Sequence, residues 1–175
     1  MAESTGKHPN GVAVDSHTAE EWRDSEAKLF SGKIDGLSFG AAMKPDGDII
    51  GVFSDGQGVG AYGMVRAIAA GGNKLDAYAV NPDGTPGGLA KTYHKAGFEP
   101  VARVKYNADY VDPQTQKVLA GRDIVVYKHN GDSADKVAAN YGKYPPPTKS
   151  QYDALPVMDY DSAMEYRDKL LKDKR

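Results

Sequence analysis

The sequence predicts an α/β fold of the α+β kind: a mixed, mostly antiparallel sheet flanked by helices. Three observations lead there. Short apolar runs suited to strands recur at 37–43, 48–53, 74–80, 100–107 and 123–128. Segments with helical spacing fall between them, at 58–70 and 89–96. The first two runs flank Lys44-Pro45-Asp46-Gly47, where Pro presets φ and Gly accepts a positive φ, so they pair as an antiparallel hairpin.

The chain has 175 residues, which suits one domain with a real core. Residues 1–130 are read as that domain, with 1–15 loose because they are polar and broken by Gly and Pro. Residues 131–175 are read as a C-terminal extension. Lys and Arg number 22 against 24 Asp and Glu, a net charge of −2. That balance gives no general attraction to nucleic acid or to an anionic membrane, so any grip on an anion is local. No cysteine is present, which excludes disulfide frameworks, thiolate-held zinc and thiol catalysis. The N-terminus lacks an apolar signal-peptide core, and no apolar run is long enough to span a bilayer, so a soluble, cytoplasmic protein is expected.

In chain order, Thr18-Ala19-Glu20-Glu21 is a capping-box pattern, and Trp22, Ala27, Leu29 and Phe30 follow it. A helix over 18–31 is expected. The hairpin comes next, then Gly56-Gln57-Gly58-Val59-Gly60 and a helix over 58–70, closed by Gly71-Gly72-Asn73. Residues 74–80 (KLDAYAV) form a strand covered on both faces, 89–96 a short helix stopped by Gly97, and 100–107 and 123–128 the closing strands. Beyond Gly131, residues 133–141 suggest a short helix, Pro145-Pro146-Pro147 a stiff spacer and 159–174 a terminal helix. Acidic residues begin that last helix and basic ones end it, which complements its dipole. Ala163, Tyr166 and Leu170 give it one apolar stripe, expected to dock on the domain.

The glycine loop is the place for chemistry. A glycine-rich turn feeding a helix start leaves several N–H groups pointing one way, and glycine lets the backbone approach a phosphate closely. Gly58-Val59-Gly60-Ala61-Tyr62-Gly63 is formally the G-x-G-x-x-G of dinucleotide-binding folds, with Asp76 downstream. Yet Asp76 falls near the start of its strand where that fold needs the acid at the end, and an antiparallel hairpin precedes the loop. Asp76 is therefore read as structural, held by a partner such as Lys74 or Arg103.

Two phrases carry a resemblance: the loop Gly56-Gln57-Gly58-Val59-Gly60, and Tyr93-His94-Lys95-Ala96-Gly97-Phe98-Glu99-Pro100 at the end of the second helix. With their order of strand, loop, helix, strand, helix and two closing strands, residues 48–128 resemble the acetyl-CoA-binding half of the GCN5-related N-acetyltransferases (the GNAT superfamily), in the shortened form found in phages. The resemblance implies an acetyl-CoA-dependent N-acetyltransferase. The amides of Gln57, Gly58, Val59, Gly60 and Ala61 would cradle the cofactor pyrophosphate, and Tyr93 would donate a proton to the leaving thiolate. Lys91, Lys95, Arg103 and Lys105 form the one locally basic segment, available to a cofactor phosphate. Asp55 stands where the family usually has Gln or Arg, and its carboxylate repels a pyrophosphate unless the side chain turns away.

No metal is expected, because His8, His17, His94 and His129 show no ligand spacing. The implied partners are a small-molecule acyl donor and an unspecified amine. A second reading keeps the fold without the chemistry, as a binding or virion-associated protein that works through a macromolecular partner, with the terminal helix as its handle.

Overall fold

The computed structural model describes residues 19–55, 58–110 and 116–173. It has an α+β architecture with two three-stranded antiparallel sheets and helices. The elements are α1 (Ala19–Asp24), β1 (Lys28–Ile34), β2 (Leu37–Met43), β3 (Ile49–Ser54), α2 (Gly60–Ala69), β4 (Lys74–Val80), α3 (Gly88–Lys95), β5 (Phe98–Val104), α4 (Gln116–Leu119), β6 (Asp123–His129), α5 (Ala134–Asn140), α6 (Lys149–Asp153) and α7 (Tyr160–Lys172). A 3₁₀ turn, Ala108–Tyr110, precedes α4. Two compact units divide the described residues, one drawn from 1–73 with 133–139, the other from 74–132 with 140–175.

In the first unit the strand order is β1-β2-β3. The Lys44–Gly47 turn forms as expected: the Lys44 amide donates to Asp48, the Gly47 amide to Lys44, and Gly47 sits at φ +86°. The helix expected over 18–31 is corrected. It stops at Asp24, and residues 28–34 are a strand paired residue by residue with β2, from Lys28 opposite Met43 to Ile34 opposite Leu37. Glu26 at φ +54° breaks the helix, and beyond it burial alternates with the period of a strand. Gly32 faces Phe39, where a Cβ would lie 2.6 Å from the ring. The sequence signal for this was Asp35-Gly36, both at positive φ (+51° and +79°), the commonest two-residue hairpin turn. Thr18, which carried the capping box, lies outside the described residues.

Helix α2 packs on β2 and β3 and buries Met64, Ala67 and Ile68, while β2 buries Phe39 and Ala41, which share one of its faces. Gly63 sets the approach: a Cβ there would meet the Gly40 carbonyl oxygen at 2.9 Å. The helix ends at Gly71 (φ +101°), whose amide donates to Ile68 while that of Gly72 donates to Ala67, the left-handed C-terminal cap that the glycines promised.

In the second unit the last strand, β6, lies between β4 and β5, antiparallel to both. Val125, Val126 and Tyr127 are fully buried, because both faces of β6 are covered. Val126 joins Val101, Ala102 and Ala163, with Leu170 packed against them, so α7 docks on β5 and β6 through Ala163 and Leu170, whereas Tyr166 of the expected stripe is exposed. The neighbour of Val126, Tyr127, points to the other face, against Tyr93 and His94 of α3. Pro100 is tolerated because β5 is an edge strand with a bulge between Pro100 and Ala102. Residues 156–158 run along that edge: the Arg103 amide donates to Pro156, and the Met158 amide donates to Arg103. This makes a single parallel bridge, Arg103 to Val157. The α6 turn within the extension was not expected from the sequence; Thr148 caps it through the Gln151 amide.

Candidate functional site

The glycine loop belongs to the first unit. Gln57, with Gly56, lies outside the described residues. Gly58 sits at φ +89° with nothing within 4 Å of where a Cβ would be, so its conformation demands glycine and its surroundings are open. Val59 turns its side chain into the core, and Gly60 begins α2 with Ala61 behind it. No side chain caps the helix. The Ala61 amide donates to Gly58 at 3.3 Å and the Tyr62 amide to Val59 at 3.1 Å. None of the described residues accepts from the amides of Gly58, Val59 and Gly60. A run of backbone donors at a helix start, carrying the positive end of its dipole, suits an anion.

Asp55 precedes this run, and its side chain is committed elsewhere. Oδ2 accepts the Ser38 amide at 3.1 Å across the hairpin, so the carboxylate is drawn toward β2 by a backbone donor. The third glycine of the formal G-x-G-x-x-G, Gly63, is explained by the contact of α2 with β2 rather than by a ligand.

Tyr93 belongs to the second unit, on α3. It is buried, its ring edge-on to Phe98 (centroids 6.4 Å apart) and tilted against Tyr127 (5.6 Å). Burial, with a smaller contribution from the Asp76 carboxylate, pushes its hydroxyl well above the ordinary tyrosine range. No described residue hydrogen-bonds the hydroxyl. The phrase Tyr-x-x-x-Gly-Phe thus has a packing meaning: two core rings flank a helix stop, Gly97 at φ +81°, whose amide donates to His94.

The basic segment is divided. Lys91 and Lys95 are exposed on α3. Arg103 and Lys105 converge instead on Asp123, at 2.5 Å from Nε and 3.2 Å from Nζ, and Asp123 also accepts the Tyr106 amide at 2.8 Å. Asp123 is buried, and it engages two of the four cations that the sequence offered to a phosphate. Asp76 accepts from the Tyr160 hydroxyl at 3.3 Å. Of the two partners expected for it, Arg103 reaches Asp123, while the Lys74 ammonium also bonds Asp168 at 3.1 Å.

Sequence reasoning missed the polar chain behind α3. His94 Nδ1 lies 3.2 Å from the Pro145 carbonyl and Nε2 3.1 Å from the Tyr152 hydroxyl, itself 2.8 Å from the Tyr127 hydroxyl. These residues are distant in sequence, so no local pattern announces them. His129 is likewise buried, with Nε2 3.1 Å from the Ala96 carbonyl. His8 and His17 lie outside the described residues. Among those described, no group of three His, Cys, Asp or Glu gathers as metal ligands, and no helix is long and apolar enough to cross a membrane. Compared with family models, curated proteins and solved structures, the chain matches none.

Proposed function

We propose that the loop at 56–61 binds the pyrophosphate of an acyl-CoA, acetyl-CoA first among them, and that the protein is an N-acyltransferase acting on an amine. The observation that carries this reading is the run of amides at Gly58, Val59 and Gly60, which no described residue accepts from. Two further features support it. Asp55 is tied to Ser38, which reduces the repulsion its charge would exert on a phosphate. The order β3, loop, α2, β4, α3, β5, β6 is the one the GNAT resemblance implies. In such a reaction the neutral amine nitrogen attacks the thioester carbonyl, the C–S bond breaks, the nitrogen gives up a proton as the amide forms, and the CoA thiolate takes one up.

A second reading, a fold that binds CoA or a macromolecular partner without transfer, is favoured by Tyr93. A phenol whose ionisation burial has made harder is a poorer proton donor to a thiolate than an ordinary tyrosine. Thermal-shift titration tests the shared step. Acetyl-CoA at about ten times its Kd is expected to raise Tm by about 3–6 °C. Gly60→Asp keeps a helix start favourable to α2 and sets a carboxylate against the phosphate, so it is expected to abolish the shift. No shift in the parent protein overturns both acyl-CoA readings. A shift without acetylated product from a panel of amines, followed by mass spectrometry, selects the second.

A further inference from the structure

His94 closes the last turn of α3 and meets two separate points of the C-terminal stretch. A carbonyl only accepts, so Nδ1, facing Pro145, carries the ring proton, and Nε2 accepts from the Tyr152 hydroxyl. With its proton given to the ring, Tyr152 accepts in turn from Tyr127. The donors therefore run one way, from Tyr127 through Tyr152 and His94 to Pro145, and each proton has a place. Tyr127 and Tyr152 are fully buried and His94 nearly so, so the chain has little access to water.

A proton added at Nε2 reverses the order. The ring then donates at both nitrogens, Tyr152 must turn its hydroxyl proton toward Tyr127, and the Tyr127 proton is left without an acceptor among the described residues. A buried charge and an orphaned buried donor follow from one protonation. We propose that His94 is a proton-operated clasp: neutral, it holds residues 145–153 against α3 and β6, and on gaining a proton at Nε2 it lets them go.

The groups facing the ring agree with this direction. From β6 and α6 come Tyr127 and Tyr152, from the connection before α6 the Pro145 carbonyl, and from β5 the field of Glu99, itself paired with Lys128 of β6. On α3 its neighbours are Tyr93 and Lys95. Burial lowers the ring's affinity for a proton, and outweighs the Pro145 carbonyl and Glu99, which raise it. Tyr152 is pushed up to about 12, chiefly by burial, and Tyr127 is raised as well, so both remain hydroxyl donors wherever the histidine titrates. Among the described residues the His129 ring bonds Ala96 and Gly131, away from 145–153, and it serves as the internal control.

Amide hydrogen exchange, followed residue by residue by NMR on the full chain, tests the clasp. The reporters are the amides of Tyr152, Ala154 and Leu155, which bond Thr148, Ser150 and Tyr152. Between about pH 7.5 and pH 5, after correction for intrinsic exchange, their protection is expected to fall about tenfold or more, with the midpoint of the His94 ring titration. His94→Gln, which does not titrate, is expected to remove the step, and His129→Gln to keep it. Flat protection, or a step that persists in His94→Gln, overturns the proposal. If His94→Gln does not fold, the parent protein decides alone: a midpoint displaced from the His94 titration, or a neutral ring protonated at Nε2, also overturns it.

Discussion

Asp55 and Ser38 bind each other twice across the mouth of the β2–β3 hairpin. The Asp55 amide donates to the Ser38 carbonyl at 2.9 Å, and the Ser38 amide donates to Asp55 Oδ2 at 3.1 Å. The carboxylate thus serves the hairpin while standing next to the loop read as a phosphate site. Asp55→Asn keeps an acceptor for Ser38 and removes the charge. It is expected to cost less than about 1 kcal/mol of stability and to tighten acetyl-CoA binding, by up to about tenfold at low salt. Isothermal titration at two ionic strengths measures both the gain and its screening. A loss of affinity would place the carboxylate among the ligand's helpers.

Gly63 and Gly40 make the closest approach of α2 to β2. A Cβ on Gly63 would meet the Gly40 oxygen at 2.9 Å and its carbonyl carbon at 3.1 Å, and backbone does not swing aside as a side chain does. Gly63→Val is therefore expected to destabilise the protein by about 1–3 kcal/mol, read as a lower midpoint in urea. Gly88, with nothing within 4 Å of a Cβ and no positive φ, accepts Ala at little cost and is the matched control.

Lys74 is buried at the start of β4, and its ammonium is 3.1 Å from Asp168 of α7, which also accepts from Arg167 at 3.0 Å. Asp168→Ala removes a carboxylate from two nearly buried cations. A cost of about 1–3 kcal/mol is expected, below that of a wholly buried pair because Asp168 is partly exposed. Thermal unfolding measures it. Asp173→Ala, in the exposed C-terminal cap of α7, is expected to change little.

The two described histidines make stability depend on pH in one direction. Burial depresses the proton affinity of His94 and of His129 below the usual histidine value of 6.5. The unfolded chain then binds more protons than the folded one near that value. Their contribution is complete above about pH 6.5 and is lost as pH falls through the lower folded values. Asp83 and Asp159 are held below the ordinary carboxylate value by hydrogen bonds from Thr85 and Ser162. For Asp168 burial acts upward, but hydrogen bonds from Lys74 and Arg167 outweigh it. These acids lose their contribution only as pH falls below about 4. Melting curves in overlapping buffers are expected to show a first decline below about pH 6.5 and a second below about pH 4. In the double variant His94→Gln, His129→Gln the first should disappear.

The elements most legible in the sequence were those with local causes. The Lys44–Gly47 turn, the glycine stops at Gly71 and Gly97 and the apolar run of β6 each carry their physics within a few residues, and each lies where it was expected. The stretch 25–31 was misread because a capping box and four apolar residues imitate a helix. Gly32 and the Asp35-Gly36 turn were the better guides, since a left-handed pair between alternating residues determines a hairpin. At the candidate site, the donor run of the loop was legible as glycine spacing. The packing role of Tyr93 and the diversion of Arg103 and Lys105 to Asp123 were not, because each depends on side chains that only the sheet brings together.

The short stretch at 156–158 has a consequence for solubility. By bonding to both backbone groups of Arg103 it occupies part of the outer margin of β5, where a foreign strand would otherwise add itself. Just inside, α7 shields Val101, Ala102 and Val126. A chain truncated before Pro156 would lose both covers together, leaving an apolar strand rim open to other copies. Such a truncation is therefore expected to favour association through the uncovered β5 edge.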